Sequence, residues 1–240
     1  MLALRNTYFA CLPDPIKRRW RPELSLVEFH KGELLQRPQE PEVIWFPVTC
    51  VATMSARSGE GPATSMRFSG NNFVVGLADL LKASTVNFEG IICGQGYAFA
   101  LPIRCFLETF PAPGPSSTLS AIAMASIAEK AFYAARCSSS HTVKQRLAGL
   151  LLDASDAFGE ERSVTLNQNE LSEILVVRRE TVALLTGDWS AAGIISTTRG
   201  AFRIVDRPRL TADGCECYAL IRRLQEQELE VWKGIQWRTD

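Results

Sequence analysis

The sequence predicts an α+β chain: an N-terminal antiparallel β-barrel of the jelly-roll kind, a long dimerisation helix, and a C-terminal winged helix-turn-helix. Three observations carry that expectation. Short β-compatible runs recur through the first hundred positions at roughly the 8–12-residue spacing of a barrel or sandwich. Residues 116–136 contain no Gly or Pro and seven alanines. Residues 166–205 then read as two short helices followed by two short strands. The chain has 240 residues, 46% apolar and 22% charged, enough for one or two real cores. That composition excludes a disordered tail protein and a small disulfide-stapled scaffold.

The expected strands, in order, are Leu24 to Phe29, Glu33 to Leu35, Val43 to Phe46 ending at Pro47, and Val51 to Met54. The turn signal Ser58-Gly-Glu-Gly-Pro62 then leads to Ser65 to Phe68, and Gly94-Gln-Gly96 separates Glu89 to Cys93 from Tyr97 to Leu101. In this part only Leu77 to Lys82 shows a helical period. Arg104 to Phe110 reads as a short helix, and Pro111-Ala-Pro-Gly-Pro115 as a rigid connector.

In 116–136, Leu119, Ala123, Ile127 and Ala131 lie four apart with Ile122 and Phe132 beside them, giving one apolar stripe. The small side chains let a second helix come close. Either the stripe packs on its own barrel, or it meets its copy in a homodimer. Its place between a linker and a separate domain favours the homodimer, with Leu119, Ile122, Ala123, Ile127 and Ala131 at the interface. After Cys137-Ser-Ser-Ser140 a further helix is expected from Thr142 to Phe158, with Leu147, Leu150, Leu151 and Ala154 on one face and Gly159 closing it. The expected domains are 1–115 (barrel), 116–140 (dimerisation helix and hinge) and 141–240 (reader with a C-terminal helix).

Lys+Arg and Asp+Glu both number 26, so no overall field announces a nucleic-acid or membrane partner. Locally the balance shifts. From Val176 to Arg209 six basic residues (Arg178, Arg179, Arg199, Arg203, Arg207, Arg209) face three acidic ones (Glu180, Asp188, Asp206), a net +3. The seven cysteines are odd in number, scattered and without a CxxC pair, which suits free thiols in a reducing cytoplasm. Cys215 and Cys217 on one helix would point about 200° apart, poor geometry for a shared metal. No metal and no cofactor are expected. Arg5 interrupts the N-terminus before a secretory apolar region forms, and no apolar run could span a bilayer. A soluble, cytoplasmic chain with no membrane partner is expected.

Leu166 to Ile195 is the specific part. Asn167 suits an N-cap, with Glu170 three residues on. A short helix runs to about Leu175, a tight turn follows, and Arg178 opens a second helix that ends before Gly193. Leu171, small Ser172 at the helix crossing, Leu175, Val182 and Leu185 suit the buried positions. Strands at Ile194 to Thr197 and Phe202 to Val205, joined by Thr198-Arg199-Gly200, complete a wing. A recognition helix enters the major groove by its N-terminal end, which carries a partial positive charge. Arg178, Arg179, Glu180 and Thr181 sit there, and an arginine can donate twice to guanine while a glutamate accepts from cytosine. Arg199 at the wing tip is placed for phosphate, and Lys144 is a further expected DNA-binding residue.

The segment Leu166-Asn-Gln-Asn-Glu-Leu-Ser-Glu-Ile-Leu-Val-Val-Arg-Arg-Glu-Thr-Val182 resembles the helix-turn-helix of the Crp/Fnr family of bacterial transcription regulators. His141-Thr-Val-Lys-Gln-Arg-Leu-Ala148 resembles that family's preceding helix, and Arg199-Gly200 with Ile204 to Arg207 and Cys215-Glu-Cys217-Tyr218 a subgroup's wing and tail. Lys31-Gly32-Glu33 and Trp45-Phe46-Pro47 are similar to strands of its cyclic-nucleotide-binding-like barrel. The resemblance implies a homodimeric regulator with double-stranded DNA and RNA polymerase as partners, and a small-molecule effector of unknown identity. It matches Arg179 and Glu180 to base-contacting residues. Two positions depart: Leu184 stands where another base-contacting arginine is common, and Val176 where a turn glycine is common.

Nucleotide-responsive members hold the cyclic phosphate with a Gly-Glu pair and a later arginine. Here Gly76 precedes Leu77, and residues 68–103 hold one basic residue, Lys82, and no arginine. A phosphate there would be desolvated without a counter-charge, so no cyclic-nucleotide response is expected. Cys11 stands alone near the N-terminus, too few thiols for an iron–sulfur sensor there, and His30 reads as an ordinary strand residue rather than a haem ligand. Two rival classes remain: a dimeric scaffold whose winged helix binds protein, and an enzyme with Cys137 as nucleophile and His141 as base. The second is disfavoured because Ser138-Ser-Ser140 is expected to interrupt the helix, and no orienting acid is visible.

Overall fold

A computed structural model describes residues 5–36, 43–57, 64–77, 87–109, 113–159 and 163–235. The chain divides into two compact units, residues 1–129 with 223–240, and residues 130–222. Among the described residues no helix is long and apolar enough to cross a membrane.

The first unit opens with two short helices, α1 (Thr7–Ala10) and α2 (Asp14–Trp20). Fully buried Asn6 caps α1: its Oδ1 accepts from the Phe9 amide at 3.0 Å, and its Nδ2 donates to the carbonyls of Pro47 and Phe73 at 2.9 Å each. Proline stands in the first turn of α2, where its missing N–H costs nothing. Neither helix is expected from the sequence, because four and seven residues are too few to display a period.

Among the described residues seven strands follow: β1 (Ser25–Phe29), β2 (Leu34–Gln36), β3 (Val43–Pro47), β4 (Val51–Arg57), β5 (Thr64–Ser69), β6 (Asn87–Gly94) and β7 (Gly96–Pro102). All seven expected strands are present near their expected limits. They form two antiparallel sheets, ordered β1-β7-β3 and β2-β6-β4-β5. Among the described residues no ladder joins the two, so the sheets are open and do not form the closed barrel expected. At the β3 edge, Pro47 cannot donate to a further ladder. Between the sheets lie Phe29, Leu35, Cys50, Ala52, Val75, Ile92 and Ala98. At the β6–β7 corner a Cβ on Gly96 would meet the Cys50 amide nitrogen at 2.5 Å, so only glycine fits. The turn expected at 58–62 and most of the 77–82 period lie outside the described residues.

A second, aromatic core joins Tyr8, Phe9, Trp20, Phe46, Phe106 and Trp232. Phe106 comes from α3 (Ile103–Leu107), which ends earlier than expected. Helix α4 (Pro113–Ser140) is longer than expected at both ends: two prolines of the expected connector form its first turn, and it runs through the serines of the expected hinge. It crosses the division between the units.

In the second unit come α5 (Val143–Phe158), α6 (Gln168–Leu175), α7 (Arg179–Ala191), the hairpin β8 (Ile195–Thr198) and β9 (Ala201–Ile204), then α8 (Arg207–Asp213) and α9 (Glu216–Lys233). The expected 141–240 domain is divided differently, because residues 223–240 belong to the first unit. Trp232 is the reason. Its ring is 1% exposed, 5.3 Å from Tyr8 edge-on and 6.3 Å from Phe106, and its Nε1 donates to the Tyr8 carbonyl at 3.0 Å. Trp232→Ala should therefore cost about 3–5 kcal/mol, read as a lower urea midpoint by circular dichroism. An unchanged midpoint would detach the C-terminus from this core.

Candidate nucleic-acid interface

The helix-turn-helix of the second unit is built on α5. Thr142 and Gln145 form a capping box at its start, and Leu147, Leu151, Leu152, Ala154 and Phe158 are buried along it. At α6 the Asn167 side chain accepts from the amides of Asn169 and Glu170 at 2.9 and 3.1 Å, and the Glu170 carboxylate accepts from the Asn167 amide at 2.8 Å. Leu171 and Leu175 are buried, and small Ser172 allows the crossing with α7. Val182, Thr186 and Trp189 fix α7 from beneath, with Leu185 only half-buried.

The turn between these helices holds the only non-glycine with positive φ among the described residues, Val176 at φ 53° and ψ 54°. The Val177 amide donates to the Ser172 carbonyl at 3.0 Å, and Arg146 of α5 donates to the Leu175 carbonyl at 2.6 Å. The turn thus keeps the geometry glycine would give it, with a β-branched residue under strain. Val176 is 84% exposed, so among the described residues little packs on it in compensation.

Arg178 is the N-cap of α7, and Arg178, Arg179 and Glu180 are all exposed, with Thr181 half-buried. One turn on, Leu184 is 66% exposed. Beside this end stands the hairpin, with Ile195 opposite Ile204 and Thr198 opposite Ala201. Arg199 and Gly200 make its tip, where Gly200 takes φ +79°. The strands sit one residue from their expected limits, and Phe202 also bridges Val164. A groove of about 360 Å³ runs between α6, α7 and the hairpin, bordered by Asn167, Gln168, Arg179, Thr186 and Thr198.

Not every expected cation is presented. Lys144 donates to Asp213 at 2.6 Å, and the same carboxylate accepts from Trp189 Nε1 at 2.7 Å. That Lys144 bond holds the Asp213 carboxyl below its ordinary range against the opposing effect of burial. Lys144 braces α5 to α8 and is only half-free to meet DNA. Arg207, counted in the local +3, turns inward to Asp156 and donates to the Tyr218 hydroxyl at 2.7 Å. Tyr218 in turn donates to Asp156 at 2.6 Å. Arg209 is 57% exposed but turned to the Ala192 carbonyl at 3.1 Å, and the remaining exposed arginines of the segment are Arg178, Arg179, Arg199 and Arg203. Leu119, Ile122, Ala123 and Ile127 lie on α4 with side chains outside the described residues, while Ala131 is half-buried and Phe132 is 66% exposed.

A second constellation corrects the sequence reading. Cys137, His141, Cys215 and Cys217 bring their ligand atoms within 4.8 Å of one another. Helix α4 is not interrupted by its serines, and the His141 amide donates to the Cys137 carbonyl at 3.2 Å, so both residues share a face. Cys215 lies before α9 and not on it, so the 200° argument does not apply. Burial, then the neighbouring thiols, push Cys137 and Cys217 above the ordinary thiol range.

Residues 145–212 match the model of the Crp-like helix-turn-helix domain. The fold is similar to a solved Crp/Fnr-family transcriptional regulator of Eubacterium rectale at 14% identity, covering 86% of this chain and 98% of that one (TM-score 0.64). It is also similar to FixK2 of Bradyrhizobium japonicum at 15% identity, covering 80% and 98% (TM-score 0.63), and to a CRP-family regulator of Thermus thermophilus at 16% identity, covering 78% and 95% (TM-score 0.59). At these identities the likeness establishes the fold. No curated protein matches the chain.

Val176→Gly should relieve about 1–2 kcal/mol of left-handed strain against the 0.5–1 kcal/mol or so that glycine loses in chain entropy. The expected outcome is a small rise in the urea midpoint, and a fall would show that the turn is not strained.

Proposed function

We propose that this Crp/Fnr-type transcription regulator, with its Crp-like helix-turn-helix over residues 145–212, acts as a homodimer that reads a two-fold symmetric DNA site without responding to a cyclic nucleotide. The observation that carries the reading is the N-terminal end of α7. It presents Arg178, Arg179 and Glu180 to solvent on a helix whose angle is fixed from below. Base edges in the major groove match that end: Arg179 offers two donors to guanine, and Glu180 one acceptor to cytosine. Exposed Leu184, one turn on, offers an apolar contact to a thymine methyl where an arginine would have asked for guanine. Arg199 and Arg203 on the hairpin supply phosphate contacts.

For the homodimer, the support is the small-residue stripe of α4 and the exposed ring of Phe132 beside it. For the absent nucleotide response, the support lies in the first unit. Gly76 is followed by Leu77, which is 5% exposed within the aromatic core and cannot take a ribose hydroxyl.

Arg179→Ala should cost about 1–3 kcal/mol of discrimination at one base pair, whereas Arg199→Ala should weaken specific and random DNA alike. The measurement is titration of both DNAs, with the site taken from selection in a random pool. Equal loss on both DNAs for Arg179→Ala would remove its base-reading role. Binding without a steep fall as salt rises would point to a protein partner instead. Ile127→Asp should convert the dimer to monomer in sedimentation, and an intact dimer would take this helix out of the interface.

A further inference from the structure

We propose that Cys137, His141, Cys215 and Cys217 form a tetrahedral zinc(II) site joining the end of α4 to the start of α9. This inference is independent of what the helix-turn-helix reads. The Sγ atoms of Cys137 and Cys215 are 3.6 Å apart, as are Cys217 Sγ and His141 Nδ1, and all four ligand atoms lie within 4.8 Å of one another. A zinc ion about 2.3 Å from sulfur and 2.0–2.1 Å from nitrogen spaces its tetrahedral ligands by about 3.8 Å between sulfurs and about 3.6 Å between sulfur and nitrogen. The closest pairs already stand at those separations, and the rest need only side-chain adjustment.

The donor set selects the metal. Three thiolates and one imidazole are soft ligands, which disfavour magnesium and calcium and suit zinc. Four protein ligands leave no open position, the mark of a structural site. On binding, the three thiols release their protons to solvent.

The surroundings of His141 support the same assignment. Its Nδ1 faces the thiols, and its Nε2 faces the Glu216 carboxylate at 3.5 Å, which Arg136 holds at 2.7 Å. A ligating histidine commonly donates its second ring N–H to a carboxylate, fixing tautomer and ring orientation. The cluster is also shielded: Cys217 is 3% exposed and the His141 side chain 12%.

Two other readings fit less of the geometry. A Cys137–Cys215 disulfide would use two of the four groups and leave the Cys217–His141–Glu216 line unexplained. An iron–sulfur cluster spreads its ligands over several metal ions and needs them further apart than 4.8 Å. Residues 142–214, the whole helix-turn-helix and wing, form the loop between the two halves of this site. The metal therefore closes the reader into a ring.

The test uses the full chain, purified without a metal-affinity tag under reducing conditions. Elemental analysis should find one zinc per chain after gel filtration. Cobalt(II) exchanged for it should show the thiolate charge-transfer and ligand-field absorption of a tetrahedral site. Cys215→Ser, at a half-buried position, should weaken zinc retention in competition with a chromogenic chelator by more than about tenfold, and Glu216→Gln by about 10–100-fold. Cys11→Ser should leave it unchanged. The proposal is overturned if the unaltered chain retains no zinc after reconstitution, or if Cys215→Ser retains it as well as the parent. It is equally overturned by a Cys137–Cys215 disulfide found by mass spectrometry under the same reducing conditions, or by a brown, iron-containing protein.

Discussion

Between Leu175 and Arg178 the backbone reverses through one left-handed residue, and the rest of the reader depends on that reversal. The turn aims α7 away from α6, so that the N-terminal end of α7 is free while Val182, Thr186 and Trp189 stay buried. Arg146, reaching from α5 to the Leu175 carbonyl, satisfies the end of α6 and ties the turn to the helix beneath. A continuous helix through these positions would lose the exposed end. A looser turn would lose the fixed angle of α7.

The same unit divides its cations between two tasks. Arg146 and Arg207 turn inward to a carbonyl and to Asp156, Lys144 pairs with Asp213 at the surface, and together they tie α5 to α6, α8 and α9. Arg178, Arg179, Arg199 and Arg203 stay in water. A half-buried arginine without a partner would be costly, and a paired one is lost to a ligand.

The first unit is organised by distant pieces of chain. Trp232 completes an aromatic core begun by Tyr8 and Phe9, so residues more than two hundred positions apart are held in one cluster. The interior between its sheets mixes large residues such as Phe29, Leu35 and Ile92 with small ones such as Cys50, Ala52 and Ala98.

Local chemistry was legible in the sequence wherever one residue decides it. Asn167 and Glu170 announce the start of α6, Arg199-Gly200 the hairpin tip, and short β-compatible runs set off by turn residues the seven strands, because caps and turns are short-range. Val176 was visible as a misfit, and the structure shows the residue yielding while the turn keeps its form. What the sequence could not show involves partners far apart along the chain: Lys144 with Asp213, Arg207 with Asp156, Trp232 with Tyr8, Cys137 and His141 with Cys215 and Cys217. Nor could helix periodicity foresee that Cys215 stops one residue short of α9, the detail that turns two thiols toward the same point. Spacing along one element fixes only the direction a side chain leaves the backbone. What it meets depends on how the elements pack.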